Sequence, residues 1–231
     1  MTQYIPNGRP GLPPGTWKKW VLACGTGEFL GITAAAAIAI AHRLLLGEPA
    51  SNSDRMLNLF FMLMAGALEG SILAYFQYRL IGKIFPEIAW KQWLAYTIAA
   101  AVTAWMLGML PSLFLTGNGA TDPGMEPSPL VYYSMAALMG LLLGALFGYF
   151  QWLPLKGLRK EAMLWIPANA LGWALGMVFI FLGASWSDAN TGWPLILLAG
   201  ALGGIAGGLS VGVITGFFLL RIARSAPEGN G

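Results

Sequence analysis

Six long apolar stretches make up almost the whole chain, and they limit its fold more than any other feature. They cover residues 17–46, 56–83, 90–116, 130–154, 162–184 and 194–222. A helix needs about 20 predominantly apolar residues to cross the hydrocarbon core of a bilayer. Because backbone N–H and C=O groups find no water there, such segments must be helical or form a closed barrel. The pattern therefore predicts an all-α integral membrane protein, a single domain over residues 1–231 with six transmembrane helices.

The composition excludes several classes of protein. Hydrophobic residues make up 57% of the chain and charged residues 10%, whereas soluble domains carry about 25% charged residues. The single cysteine, Cys24, excludes an internal disulfide framework. Basic clusters interleaved with aromatic residues are missing, as are the common metal, nucleotide and hydrolase motifs. We therefore predict the lipid bilayer as the main partner, with no nucleic acid, cofactor or metal.

The distribution of lysine and arginine predicts the orientation. With six spans, one side carries eleven of these residues and the other carries only Arg43 and Arg55. The eleven are Arg9, Lys18, Lys19, Arg79, Lys83, Lys91, Lys156, Arg159, Lys160, Arg221 and Arg224. Because loops rich in Lys and Arg stay in the cytoplasm, both termini are expected there, in a multi-pass protein of the inner (plasma) membrane.

The chain also repeats itself. The segment beginning Ala65-Gly-Ala-Leu-Glu-Gly aligns without a gap with the segment beginning Met139-Gly-Leu-Leu-Leu-Gly, and Tyr-Phe-Gln recurs at 75–77 and 149–151. The units 56–116 and 130–184 are thus predicted to be two parallel copies of one helical hairpin. A third, permuted copy would join 194–222 to 17–46 and give a pseudo-threefold bundle. Two observations support this copy. The glycines of the last span have the spacing of those in the fourth span, and Trp20 precedes Gly27 by the same distance as Trp165 precedes Gly172.

The second copy is similar to a known repeat. Gly140-LLLGALFGYFQWLPL, followed by a short basic loop and Trp165-IPANALGWALG, resembles a repeat of uncharacterised multi-span membrane proteins of bacteria, common in cyanobacteria and their relatives. The resemblance covers the fourth and fifth spans well and the second and third in part. It implies a membrane repeat architecture and a bacterial source, and it supplies no catalytic residues. The first copy departs from the pattern at Ala74 and Tyr78.

Two glutamates, Glu28 and Glu69, lie in the middle of the first two spans. A carboxylate at bilayer depth is costly and is therefore a candidate functional residue. Each glutamate interrupts the repeat at one site only, since Leu143 replaces Glu69 in the second copy and Trp105 and Trp173 occupy the position of Glu28. Both glutamates lie at about the same depth, so we expect them to face each other and share a proton, water or cation. The alternative is that each is protonated and hydrogen-bonds a neighbouring helix.

Three further polar residues are weaker candidates for ligand or proton binding. Asn169 follows Pro167 inside the fifth span, where a kink and an amide could line a cavity or simply serve packing. Gln77 and Gln151, flanked by aromatic residues, are interpreted as interfacial anchors, and most of the ten tryptophans are assigned to the aromatic belts.

Three functions remain open at this point. The first is transport or binding of a proton, cation or small solute by the carboxylate pair. The second is an accessory or scaffolding subunit of a larger membrane complex. The third is an intramembrane lipid-modifying enzyme, which has the least support. Glycines recurring every four residues would let helices pack closely within the chain. Alternatively, they would form an interface with a second copy of the chain or with another membrane protein. Transport predicts a polar cavity that reaches Glu28 and Glu69, and scaffolding predicts a dry core and a large outer groove of small residues.

Overall fold

The computed structural model describes residues 12–47, 49, 51–114, 127–186 and 191–228, and within these residues all regular secondary structure is helical. The prediction of six long helices is confirmed for this part of the chain. They are α1 (Thr16–Leu46), α2 (Asn52–Ile84), α3 (Trp90–Phe114), α4 (Pro129–Trp152), α5 (Trp165–Ala184) and α6 (Trp193–Arg224). A short 3₁₀ turn, Ala162–Leu164, precedes α5. The segment between the third and fourth predicted spans lies mostly outside the described residues, and Arg9 lies wholly outside them.

Five of these helices are long and apolar enough to cross a membrane, as judged from their length and composition. The sixth, α3, is of similar length and begins with Trp90-Lys91-Gln92. The prediction of an all-α membrane protein is therefore confirmed. Local signals set some of the helix ends. At the start of α2, Ser51 accepts from the backbone of Asp54 and the Asp54 side chain accepts from Ser51 in return, which is a capping box.

Pro167 corrects one expectation. The sequence places it inside a span, where it would kink the helix. The structure places it in the first turn of α5, directly after the 3₁₀ turn. A proline is tolerated at this position because the first backbone N–H groups of a helix have no partner within the helix. No kink therefore needs to be attributed to Pro167.

The six helices form a ring in chain order. Each helix packs on the next one along the chain, and α6 closes the ring against α1. We call the end where α1 begins and α6 ends the base, and the opposite end the top. Contacts across loops tie the base together: the Arg221 guanidinium donates to Glu161 at 2.7 Å, and the Lys160 backbone N–H donates to the Ala226 carbonyl at 3.1 Å.

Glycines let these helices approach closely. An added Cβ at Gly140 or Gly144 would collide with the backbone of α5, and one at Gly212 would meet the backbone of Val21 at 2.8 Å. The glycines of the four-residue pattern therefore mostly serve packing within the chain, although Gly200 meets nothing. The closed ring also brings the two helices of the permuted unit into contact. That the hairpins superpose as repeats remains a prediction.

The base is filled by aromatic rings rather than surrounded by them. Trp20, Trp93 and Trp165 are fully buried, with ring centroids of Trp20 and Trp165 5.7 Å apart and those of Trp93 and Trp165 6.4 Å apart. Their assignment to an aromatic belt is therefore wrong for these three residues. Each of these residues lies near the start of a helix that begins at the base. Because all three side chains face inward, they meet at the centre of the ring.

Candidate functional site

The ring surrounds a partly open cavity of about 330 Å³, and both glutamates lie on its wall. Five helices contribute to the lining, from the middle of the bundle toward the top. The described lining residues are Glu28, Ile32, Glu69, Ala101, Ala104, Trp105, Gly108, Met109, Met139, Leu143, Phe147, Trp173, Met177, Ile180 and Phe181. Apart from the two carboxyl groups and two indole N–H groups, the lining side chains are apolar.

The two carboxyl groups lie within hydrogen-bonding range of each other. Glu28 reaches this point from α1 and Glu69 from α2. Glycines on facing helices make the approach possible: a Cβ at Gly31 would lie 2.9 Å from Cγ of Glu69, and Gly208 of α6 lies against Cβ of Glu28. The structure thus brings together the pair that the sequence singles out. The helical face that carries Glu69, which includes Gly66, Gly70 and Gln77, is also buried as its spacing predicts.

Glu69 has a donor of its own. The Trp105 indole Nε1–H on α3 donates to Oε2 of Glu69 at 2.6 Å. Space for this indole comes from Gly66, one turn before Glu69 on the same face, since a Cβ there would lie 2.7 Å from Cγ of Trp105. The bond therefore orients Glu69 at the wall of the cavity.

Glu28 is less well satisfied. Its side chain is only 1% exposed, and Oε1 has no hydrogen-bond partner among the described residues. The buried Trp173 Nε1 also lacks a partner. An unpaired buried polar group costs about 1–3 kcal/mol, so two of them on the wall of one cavity require an explanation. A molecule held in the cavity would supply it.

Gln77 and Gln151 are not interfacial anchors. Both are buried, at 3% and 0% exposure, and they meet at the centre of the ring between the cavity and the aromatic base. The Gln151 Nε2 group donates to Oε1 of Gln77 at 2.8 Å and to Oγ1 of Thr97 at 3.1 Å, while its Oε1 accepts from Trp165 Nε1 at 3.2 Å. We call Gln77, Thr97, Gln151 and Trp165 the polar layer.

Neighbouring groups extend the polar layer. Gln77 Nε2 donates to the sulfur of Cys24, a buried free thiol, at 3.8 Å. On the other side of the ring, Trp20 Nε1 donates to Oγ1 of Thr215 at 2.9 Å. Trp93 does not join this hydrogen-bond network. Its Nε1 has no partner in the described structure, and its ring lies edge-on to Trp165. The layer closes the cavity toward the base.

Asn169 does not reach the cavity. It is 2% exposed, and its amide donates to the Trp165 carbonyl one turn earlier at 2.9 Å. This is a local side-chain-to-backbone bond of the kind that polar residues form in transmembrane helices. Among the residues predicted for the site, only Glu28 and Glu69 line the cavity. Gln77 and Gln151 belong to the polar layer below the cavity, and Asn169 of α5 packs against α4.

Sequence reasoning missed Trp105 and Trp173 as residues of the site. One signal was available, because both tryptophans lie in the middle of a span rather than at its end, and they occupy equivalent positions in the two predicted repeats. Their assignment to aromatic belts hid it. Trp105 donates to Glu69, whereas the position of Glu69 in the second copy is occupied by Leu143, which offers Trp173 no acceptor.

No family model, curated protein or solved structure matches this chain. The resemblance to bacterial repeat proteins therefore remains a prediction, and any function must be argued from the site itself.

Proposed function

We propose that this chain binds a proton, cation or small solute in its central cavity and carries it across the membrane through the Glu28–Glu69 pair. The observation that carries the proposal is the adjacency of two buried carboxyl groups on the wall of a cavity. Two carboxylates this close cannot both ionise at low cost. The pair can therefore exchange one proton for one bound cation, which is the elementary step of a coupled transporter.

The cavity reaches both glutamates, as transport requires, but its lining is mainly apolar rather than polar as predicted. A scaffolding subunit was expected to have a dry core and an outer groove of small residues, and here most of the patterned glycines contact neighbouring helices of the same chain. An intramembrane lipid-modifying enzyme would use Glu28 and Glu69 as acid and base and would also need a pocket for its lipid substrate. No specific observation favours either alternative.

The test uses purified protein in liposomes that contain a pH-sensitive dye. Na⁺, K⁺ and methylammonium are added outside in turn under an imposed membrane potential, and cation-driven changes in lumenal pH are recorded. At least one cation should give a signal above protein-free liposomes, and Glu28→Gln and Glu69→Gln should each abolish it. The matched control is Glu87→Gln, which changes an exposed carboxyl at the base and should keep the full signal. A Glu28→Gln protein as active as the wild type would reject the proposal.

We further propose that the base faces the cytoplasm. Ten of the eleven basic residues counted on one side of the sequence lie at or near the base in the described structure, and Arg43 and Arg55 lie near the top. The positive-inside rule then assigns both termini to the cytoplasm and the cavity to the outer half of the membrane.

Cysteine labelling tests this orientation. With Cys24 replaced by alanine, Ser53→Cys near the top should react with a membrane-impermeant maleimide added to intact cells, and Lys83→Cys near the base should react only after the membrane is opened. Both positions are exposed. The opposite labelling pattern would invert the assignment.

A further inference from the structure

The cavity also indicates the chemical class of its ligand. We propose that it recognises a hydrophobic ammonium ion, that is, a protonated amine on a small apolar body. This inference rests on the proposed function and deepens it, because it selects one kind of solute from those that a carboxylate pair could bind.

The first argument is charge. Glu28 and Glu69 are the only ionisable side chains among the described residues that line the cavity, and lysine, arginine and histidine are missing from the lining. A buried carboxylate without a counter-ion is costly. A cationic ligand removes that cost, whereas an anionic ligand would increase it.

The second argument is hydrogen bonding. Oε1 of Glu28 is a buried acceptor without a donor. Glu69 is already held by Trp105, so the pair offers one vacant acceptor beside one oriented carboxyl. An ammonium group carries its N–H donors in a compact tetrahedral head and can fill that vacancy. Because the bond joins two charged groups, it is stronger than a neutral one.

The third argument concerns the rest of the lining. Trp105, Trp173 and Phe147 contribute aromatic rings, and ring faces attract cations. Met109, Met139 and Met177 add polarisable thioethers, which adapt to irregular apolar ligands. A dehydrated Ca²⁺ ion would need about six to eight oxygen ligands, and two carboxyl groups cannot supply them. The apolar lining therefore fits an organic cation better than a metal ion.

The fourth argument is size. A volume of about 330 Å³ is near the lower limit of ligand pockets, about 300–1,000 Å³. It accommodates a single ring or a short alkyl chain attached to the ammonium group. A phospholipid with two acyl chains is too large to fit wholly within this volume.

The test compares three probes that share a phenyl body and differ in the polar head: 2-phenylethylammonium, 2-phenylethanol and 3-phenylpropanoate. Their binding to the full-length protein in lipid nanodiscs at neutral pH is measured by titration calorimetry. The ammonium probe should bind at least about tenfold more tightly than the alcohol, a difference of about 1.4 kcal/mol, and the carboxylate should bind weakest. Equal binding of the ammonium and the alcohol would overturn the inference.

The variants use the same measurement. Glu28→Gln should lower the affinity for 2-phenylethylammonium at least about tenfold and leave that for 2-phenylethanol unchanged, and Glu87→Gln should change neither. Retention of full ammonium affinity in Glu28→Gln would also overturn the inference. If the ammonium probe fails to bind while a Glu28-dependent signal persists in liposomes, only the ligand class is wrong. If both the binding and that signal are missing, the proposed function fails as well.

Discussion

The polar layer and the cavity lie one above the other at the centre of the same ring, yet their polar groups differ in how fully they are paired. In the polar layer, the Gln151 amide uses both its oxygen and its nitrogen to bind three other helices. In the cavity, Glu28 Oε1 and Trp173 Nε1 have no partner among the described residues. Complete pairing is what a structural network needs, since every unpaired member costs free energy. Incomplete pairing beside empty space indicates a place for a ligand.

This difference predicts opposite responses to mutation. In the polar layer, removing a side chain leaves partners unpaired, so the protein should lose stability. In the cavity, removing an already unpaired group should cost little stability and affect binding instead. Two pairs of variants test the comparison, and a variant at the base tests an ion pair outside both regions, from the largest expected effect on stability to the smallest.

The largest effect is expected for Gln151→Leu. The substitution keeps the approximate size but leaves Gln77 Oε1, Thr97 Oγ1 and Trp165 Nε1 without this partner. We expect the free energy of unfolding to fall by about 2–4 kcal/mol, measured by denaturant titration in detergent. Glu28→Gln is the matched control, and it should change stability by less than about 1 kcal/mol because an amide and a protonated carboxyl have similar shapes. Equal losses in the two variants would contradict the distinction between the layer and the cavity.

A smaller loss of stability is expected for Trp105→Phe, and almost none for the same substitution at Trp173, Trp173→Phe. Both remove an indole N–H on the cavity wall. Trp105→Phe also removes the donor to Glu69 and should cost about 1 kcal/mol, whereas the Trp173 N–H has no partner to lose. The difference between the two melting temperatures is the measured quantity. A Trp173→Phe protein less stable than Trp105→Phe would show that Trp173 is paired in the protein.

The smallest effect is expected outside the membrane interior, for Glu161→Gln at the base. The hydrogen bond from Arg221 lowers the pKa of the Glu161 carboxyl below its usual range. A lowered pKa in the folded state stabilises the protein above the unfolded-state pKa, about 4.3, and this contribution is lost as the pH falls through the folded-state value. The wild type should therefore melt slightly above Glu161→Gln at pH 7, and the difference should vanish in acid. A difference that persists below pH 3 would argue against the ion pair.

The sequence predicted the helices well because each coincides with an apolar run long enough to cross a bilayer. The start and end of α3 and α6, for example, lie within two residues of the expected bounds. Glu28 and Glu69 could also be identified, because a carboxyl in an apolar span is conspicuous in any composition. Both predictions use the cost of transfer into hydrocarbon, which depends on residue type and needs no knowledge of packing.

Predictions failed where the side of the helix mattered. Gln151 and Trp165 lie near basic loops and among aromatic residues, the same surroundings that an aromatic belt has in sequence. Only the closure of the ring reveals that they point inward and bind each other. The same limit applies to Trp105, whose role depends on the vacant space beside Gly66 of another helix. Depth along a span can be estimated from the sequence, but rotation about the helix axis depends on the neighbours.

The packing of α6 against α1 also has a consequence for biogenesis. A membrane protein is synthesised from its N-terminus, and α1 therefore enters the bilayer long before its second neighbour exists. Gly208 of α6 packs against Cβ of Glu28, so one flank of this residue remains uncovered until α6 has left the ribosome and inserted. The helix α1 thus carries a polar residue whose packing depends on a helix that is synthesised much later.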